Sequence, residues 1–119
     1  MLTPKEVMEK IVAVLDEKKA GDIKVLMTRD VTVLADYFVI CTATGTTHAK
    51  SLSDEVEFRL KQEGEPALRT EGYSGGTWIL VDFGCVVVHI FTEEGRKFYN
   101  LEHLWQDAAV TDISALIKE

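Results

Sequence analysis

Hydrophobic residues fall into blocks whose spacing changes along the chain. Val7, Met8, Ile11, Val12 and Leu15 recur at three- and four-residue intervals, which puts them on one face of an amphipathic helix. Thr3-Pro4-Lys5-Glu6 precedes that face as a capping box with proline at the first helical position. Gly21 is placed to end the helix. Ile23 to Met27 is short, apolar and partly β-branched, and predicts a strand; residues 31–36 are less regular. Tyr37-Phe38-Val39-Ile40-Cys41 is apolar at consecutive positions, the mark of a strand covered on both faces.

Helical spacing returns at Ala49, Leu52, Val56 and Leu60 up to Gly64, with Thr46 or Thr47 as the expected N-cap. Residues 67–71 suggest a short edge strand, and Gly72-Tyr73-Ser74-Gly75-Gly76 a mobile loop. Two strongly apolar runs, 78–83 and 85–91, flank Gly84 and predict a hairpin. Thr92-Glu93-Glu94 supplies a cap and two acids at a helix start, and Leu101, Leu104 and Trp105 follow on a short helical turn. The order α-β-β-α-β-β-β-α predicts an α/β fold, a mixed β-sheet flanked by helices.

The 119 residues provide for one domain and one core, and no apolar run approaches the span of a bilayer. No signal-peptide core follows Met1, so a cytoplasmic location is expected. Thirteen Lys and Arg against twenty Asp and Glu give −7, which opposes phosphate binding and suits a basic protein partner. Little direct nucleic-acid binding is expected. Cys41 and Cys85 lie in apolar runs and read as buried thiols.

The candidate chemistry is thin. Thr44-Gly45-Thr46-Thr47 joins a strand to a helix, where amides can cradle a phosphate, but it lacks the glycines and lysine of a nucleotide-binding loop. Asp82-Phe83-Gly84 spells a kinase trio in a chain far too short for a kinase, and reads as a turn. His48, His89 and His103 are scattered without metal-ligand spacing, so no metal or cofactor is expected. Nucleotidyl transfer needs clustered carboxylates on a strand, whereas the hairpin carries only Asp82. Trp78, Phe98, Tyr99 and Trp105 remain, at element ends: core residues, or the composition of a protein-binding hot spot.

The run Ala35 to Thr42, the His48-Ala49-Lys50 helix start and Ser53-Asp54-Glu55-Val56 resemble the first half of the Iojap-like ribosomal silencing factors. Gly72, Trp78 to Gly84, Val86 to Phe91 and Phe98 to Trp105 resemble the second half. The likeness spans about residues 3–107, and the tryptophan-to-histidine hairpin and the closing tyrosine-leucine-tryptophan run are its most specific parts. It implies a nucleotidyltransferase-like fold without the catalytic site, in a non-enzymatic protein. It also implies binding to the large ribosomal subunit through its fourteenth protein, which blocks joining of the small subunit and represses translation when nutrients are short. The partner surface carried over comprises Trp78, His89 and Tyr99, with Leu101 and Leu104 beside them. Cys85 and Thr47 depart from the family pattern, where an acid and a basic residue are common.

Residues 1–107 are thus expected to form an Iojap-like ribosome-binding domain and 108–119 a C-terminal tail. That tail is either a short helix through Val110, Ile113, Leu116 and Ile117 or a mobile end. A nucleotide-binding relic of the transferase fold and a scaffold acting only through self-association are the alternatives, and the leading reading allows a homodimer off the ribosome.

Overall fold

The computed structural model describes residues 2–117. Helix α1 (Pro4–Glu17) starts at the expected capping box: Thr3 accepts from the Glu6 amide, and the Glu6 carboxylate accepts from the Thr3 amide. That second bond, to the Thr3 backbone, holds the Glu6 carboxyl below its ordinary range. The helix ends at Lys18 rather than at Gly21, and Lys19 takes the positive φ of 67° that glycine was expected to supply. Gly21 instead opens strand β1 (Gly21–Met27).

Strand β2 (Tyr37–Ala43) and strand β5 (Val86–Thr92) pair in parallel at the centre of a six-stranded sheet of order β3-β4-β5-β2-β1-β6. The other pairings are antiparallel: β1 with β2, β3 (Arg69–Glu71) with β4 (Trp78–Asp82), β4 with β5, and β1 with β6 (Ala109–Thr111). The mixed sheet and its hairpin are those the sequence predicts. Alternation along the strands separates two cores. Tyr37, Val39, Cys41, Ile79, Val81, Val86, Val88 and Ile90 face α1 and helix α2 (Thr46–Gln62). Phe38, Ile40 and Phe91 face the other way, where helix α3 (Glu93–Tyr99) and the single turn α4 (Leu101–Leu104) contribute Leu101.

Two local expectations are corrected. The N-cap of α2 is Gly45, not Thr46 or Thr47, and no side chain caps the helix through a hydrogen bond. His48 instead ties the helix to the chain before it: its Nδ1 accepts from the Thr44 amide, and its Nε2 lies 2.9 Å from the Lys18 carbonyl. The loop at residues 72–76 forms where expected, exposed at 72–75 and buried at Gly76. Gly76 donates to the Gly72 carbonyl, and a Cβ at Gly76 would come within 2.8 Å of the Thr46 Cβ. Finally, the tail forms no helix within the described residues. Ala109–Thr111 extends the sheet beside β1, and Ile113, Leu116 and Ile117 are half-buried against the larger core. Lys118 and Glu119 of that tail lie outside the described residues.

The tail is therefore part of the folding unit. A chain ending at Asp107 should lose about 3 kcal/mol of stability, roughly 1 kcal/mol for each half-buried aliphatic side chain. Urea unfolding of the shortened and full chains measures this, and equal midpoints would show the tail to be dispensable.

Candidate functional site

The second face of the sheet carries most of the aromatic residues. Trp78 on β4 lies directly opposite Phe91 on β5, and His89 lies opposite Leu80 on β4 and Ile40 on β2. Side chains at these positions project to one face, as strand periodicity requires. The Trp78 and Phe91 rings stack with centroids 5.1 Å apart, and Tyr99 from α3 leans over the indole at 4.6 Å. Phe98 meets Tyr99 edge-on at 5.0 Å, and Phe38 meets His89 at 4.8 Å and Trp105 at 5.1 Å. Such offset and edge-to-face pairs add about 0.5–1.5 kcal/mol each beyond the area they bury.

The sequence-predicted residues divide by depth. Tyr99 and Leu104 are exposed, at 42% and 72%, and Trp78 is half-buried. His89 and Leu101, expected at the partner surface, are buried at 3% and 7% exposure. They form the floor of the patch in the free chain, because their strand and helix positions turn them into the second core. Trp78, His89 and Tyr99 come together with Phe91. Leu101 joins them through the same core, while Leu104 lies on the outer side of its turn. Phe98, not assigned to the surface from sequence, is 81% exposed. Its signal was the Phe98-Tyr99 pair in a helix too short to bury both.

Three features hold this arrangement. The first is close backbone approach. Gly72 has φ 77°, and a Cβ there would lie 2.1 Å from the Trp78 carbonyl; at Gly95 it would lie 2.6 Å from the Thr77 carbonyl. Only glycine fits at either point, so the backbone entering β4 is clamped on both sides. The second is Asn100, whose φ of 47° ends α3 and starts α4. Asparagine tolerates that left-handed conformation, and the turn leaves Tyr99 outside while Leu101 goes in.

The third is Arg96, whose side chain is only 10% exposed. Its Nη1 donates to the Asp22 carbonyl at 2.6 Å and to the Thr42 Oγ1 at 2.8 Å. Its Nε donates to Glu102 at 2.9 Å, and the other Glu102 oxygen accepts from Lys24 at 3.0 Å. The Arg96 hydrogen bond, aided by Lys24, holds the Glu102 carboxyl below its ordinary range. Arg96 thereby fastens α3 and α4 to β1 and β2, a role its exposed-looking sequence context did not announce.

His89 has a specific contact. The indole N–H of Trp78 donates to Nδ1 at 3.1 Å. An indole nitrogen can only donate, so Nδ1 is the acceptor and the imidazole proton is assigned to Nε2. That nitrogen is buried without a hydrogen-bond partner among the described residues, at a cost of about 1–3 kcal/mol. Burial pushes the His89 pKa down to about 4, so the ring is neutral at ordinary pH.

No group of three or more His, Cys, Asp or Glu among the described residues is arranged to hold a metal ion. Cys41 is buried, and its thiol is pushed up to about 12 by that burial. Cys85 is half-buried rather than buried, and its thiol is raised by the same cause. A cleft of about 640 Å³ opens at Gly45, lined by Thr44, Thr46, Thr77, Thr92 and Lys97. Glu93 and Glu94 line it too, and their carboxylates would repel a triphosphate.

Burial of neutral His89 links stability to pH. The unfolded imidazole titrates near 6.5 and the folded one near 4, so between them the unfolded chain binds the extra proton. Stability contributed by this group is complete above pH 6.5 and is lost as pH falls towards 4, by about 3 kcal/mol in all. The His89→Phe variant should lack this component. Denaturation midpoints of both proteins across that range measure it, and parallel pH profiles would contradict it.

Comparison with known proteins assigns the chain. The sequence pattern of the family described as ribosomal silencing factor during starvation matches residues 2–119. A ribosomal silencing factor from Halalkalibacterium halodurans is 32% identical over 116 residues, covering 98% of this chain and 99% of that protein. The mouse protein named mitochondrial assembly of ribosomal large subunit protein 1 is 33% identical over 101 residues, covering 82% of this chain and 44% of its own. A crystal structure of a protein from Chromobacterium violaceum superimposes with a TM-score of 0.86 at 31% identity, over 88% of each chain. Sequence pattern, full-length relatives and fold agree, and the chain belongs to the ribosomal silencing factor family.

Proposed function

We propose that this protein docks on the large ribosomal subunit through the Trp78–Tyr99 patch, obstructs joining of the small subunit and so represses translation without catalysing a reaction. The patch carries the reading. Trp78, Tyr99, Phe98 and Leu104 place rigid apolar groups at the surface of a chain of net charge −7. Exposed aromatic anchors backed by a packed floor are the usual composition of a binding hot spot. The acidic balance favours a basic protein over ribosomal RNA, and the fourteenth protein of the large subunit is the partner the family resemblance implies. The name of the mouse relative, which concerns assembly of the large subunit, also supports that subunit as the target. His89 and Leu101 act in this reading as the floor beneath the contact, and Trp78, Tyr99 and Leu104 as the contact. In this reading the protein acts in the compartment of its ribosome, which the sequence leads one to expect is the cytoplasm.

Co-sedimentation with isolated subunits tests the reading. The protein should travel with large subunits, ignore small ones and lower the yield of joined ribosomes. Binding to small subunits alone would refute it. Raising salt should slow association, since the attraction is between net charges that salt screens.

Trp78→Ala gives the sharpest test of the site. A tryptophan anchor at an interface contributes about 2 kcal/mol or more, so large-subunit affinity should fall about thirtyfold or further. Trp78 is half-buried, so the stability loss should be well below the roughly 3–5 kcal/mol of a fully buried aromatic, leaving a folded protein. Melting temperature and subunit affinity are read together; unchanged affinity in a folded variant would remove Trp78 from the site.

A further inference from the structure

His89 is an unusual floor for an apolar patch. It sits near the middle of the sheet, between Phe38 at 4.8 Å and Phe91 at 6.4 Å, at 3% exposure. Its Nε2 finds no partner among the described residues. A leucine or phenylalanine would fill the same space without that penalty. The imidazole does one thing those residues cannot: its Nδ1 accepts the Trp78 indole N–H at 3.1 Å.

That bond restricts the ring orientations that the surrounding packing leaves open. The clamped backbone of Gly72 and Gly95 places the Trp78 Cα, and Phe91 and Tyr99 pack against the indole at 5.1 and 4.6 Å. Stacking is tolerant of rotation within the ring plane and of a flip of the ring, because the attraction is spread over the surface. A directional hydrogen bond at the indole nitrogen is not tolerant of either.

We infer that His89 is a positioning residue that sets the orientation of the Trp78 indole for docking, and that it does not touch the partner itself. The inference rests on the docking role of the Trp78–Tyr99 patch proposed above. A histidine works here because a neutral imidazole offers an unprotonated acceptor nitrogen inside an aromatic cage. A carboxylate at the same place would carry a buried charge. The anchor is thereby held in its bound orientation before the partner arrives, and less freedom is lost on association.

The experiment compares His89→Phe, which keeps an aromatic ring and removes the acceptor, with His89→Asn, whose side-chain oxygen replaces Nδ1. The indole N–H signal of Trp78 in the free protein, observed by nitrogen-15 NMR with Trp105→Phe for assignment, reports the bond. In wild type and His89→Asn it should be hydrogen-bonded and protected from exchange; in His89→Phe it should shift and exchange faster. Large-subunit affinity should fall about tenfold in His89→Phe, the scale of one hydrogen bond, and recover in His89→Asn. In a Trp78→Phe background, His89→Phe should have no further effect, because the residue it positions has lost its N–H.

Should His89→Phe fail to fold, His89→Gln carries the comparison. Its amide oxygen lies beyond the Nδ1 position, and affinity and protection should both drop. An indole signal unchanged by loss of the acceptor would overturn the inference. So would an affinity loss that persists undiminished in the Trp78→Phe background, or one that asparagine fails to restore, since either marks direct contact or simple packing. If wild type does not bind large subunits, the docking reading itself fails and the positioning role falls with it. The NMR signal would still report whether the indole–imidazole bond exists.

Discussion

The parallel pair of β2 and β5 is buried on both faces, and the rest of the molecule follows from the need to cover it. From Tyr37 to Cys41 every residue is buried, and along β5 only Val87 and Thr92 are not. Two long helices, α1 and α2, cover one face with an aliphatic core. The other face receives only a seven-residue helix and a single turn. Elements that short cannot supply enough aliphatic side chains, so the strands, α3 and the residue after α4 complete the layer with large rings, Phe38, Trp78, Phe91, Tyr99 and Trp105. The aromatic patch is the form the second core takes where its covering layer runs out.

The same constraint explains why a buried ion-paired arginine belongs to the patch. A helix of seven residues is too short to be stable alone and depends on what it is fastened to. Arg96 joins α3 to the Asp22 carbonyl, Thr42 and Glu102, tying together the start of β1, the end of β2 and α4. Asp22 can present its carbonyl because the chain takes a φ of 45° there, beside the register shift in β1. An irregularity at one end of β1 is thus connected through a single guanidinium to the placement of Tyr99, on the helix that carries it.

How much of this was legible in the sequence depended on the range of the interaction. The capping box at Thr3 and Glu6, the central strand at Tyr37 to Cys41 and the hairpin about Gly84 are local patterns, and each formed as predicted. The failures are tertiary. Val110, Ile113, Leu116 and Ile117 have helical spacing, yet Ala109–Thr111 pairs with β1, a partner more than eighty residues away. Ile113, Leu116 and Ile117 then reach the larger core from an irregular segment. Thr46 and Thr47 have cap chemistry, but His48 satisfies the Thr44 amide from within the helix and leaves Gly45 at the cap. At the site, the resemblance supplied five residues to consider but not their depths. Sequence alone does not separate Trp78 and Tyr99 from His89 and Leu101, because depth is set by which face of which strand is left uncovered.

A patch built this way differs physically from a flexible apolar surface. Tryptophan and tyrosine have few rotatable bonds, and here the rings already pack on one another above the central strands of the sheet. Little conformational freedom remains to be lost when a partner covers them, which is how rigid aromatic anchors gain affinity from a small contact. The design carries a cost in the free chain: exposed Phe98 and Leu104, and an imidazole proton without an acceptor among the described residues. Selection for stability alone would replace these groups with polar residues outside and an aliphatic residue inside. Their presence together, on the face that the helices leave incompletely covered, is what the proposed docking role requires of a free chain.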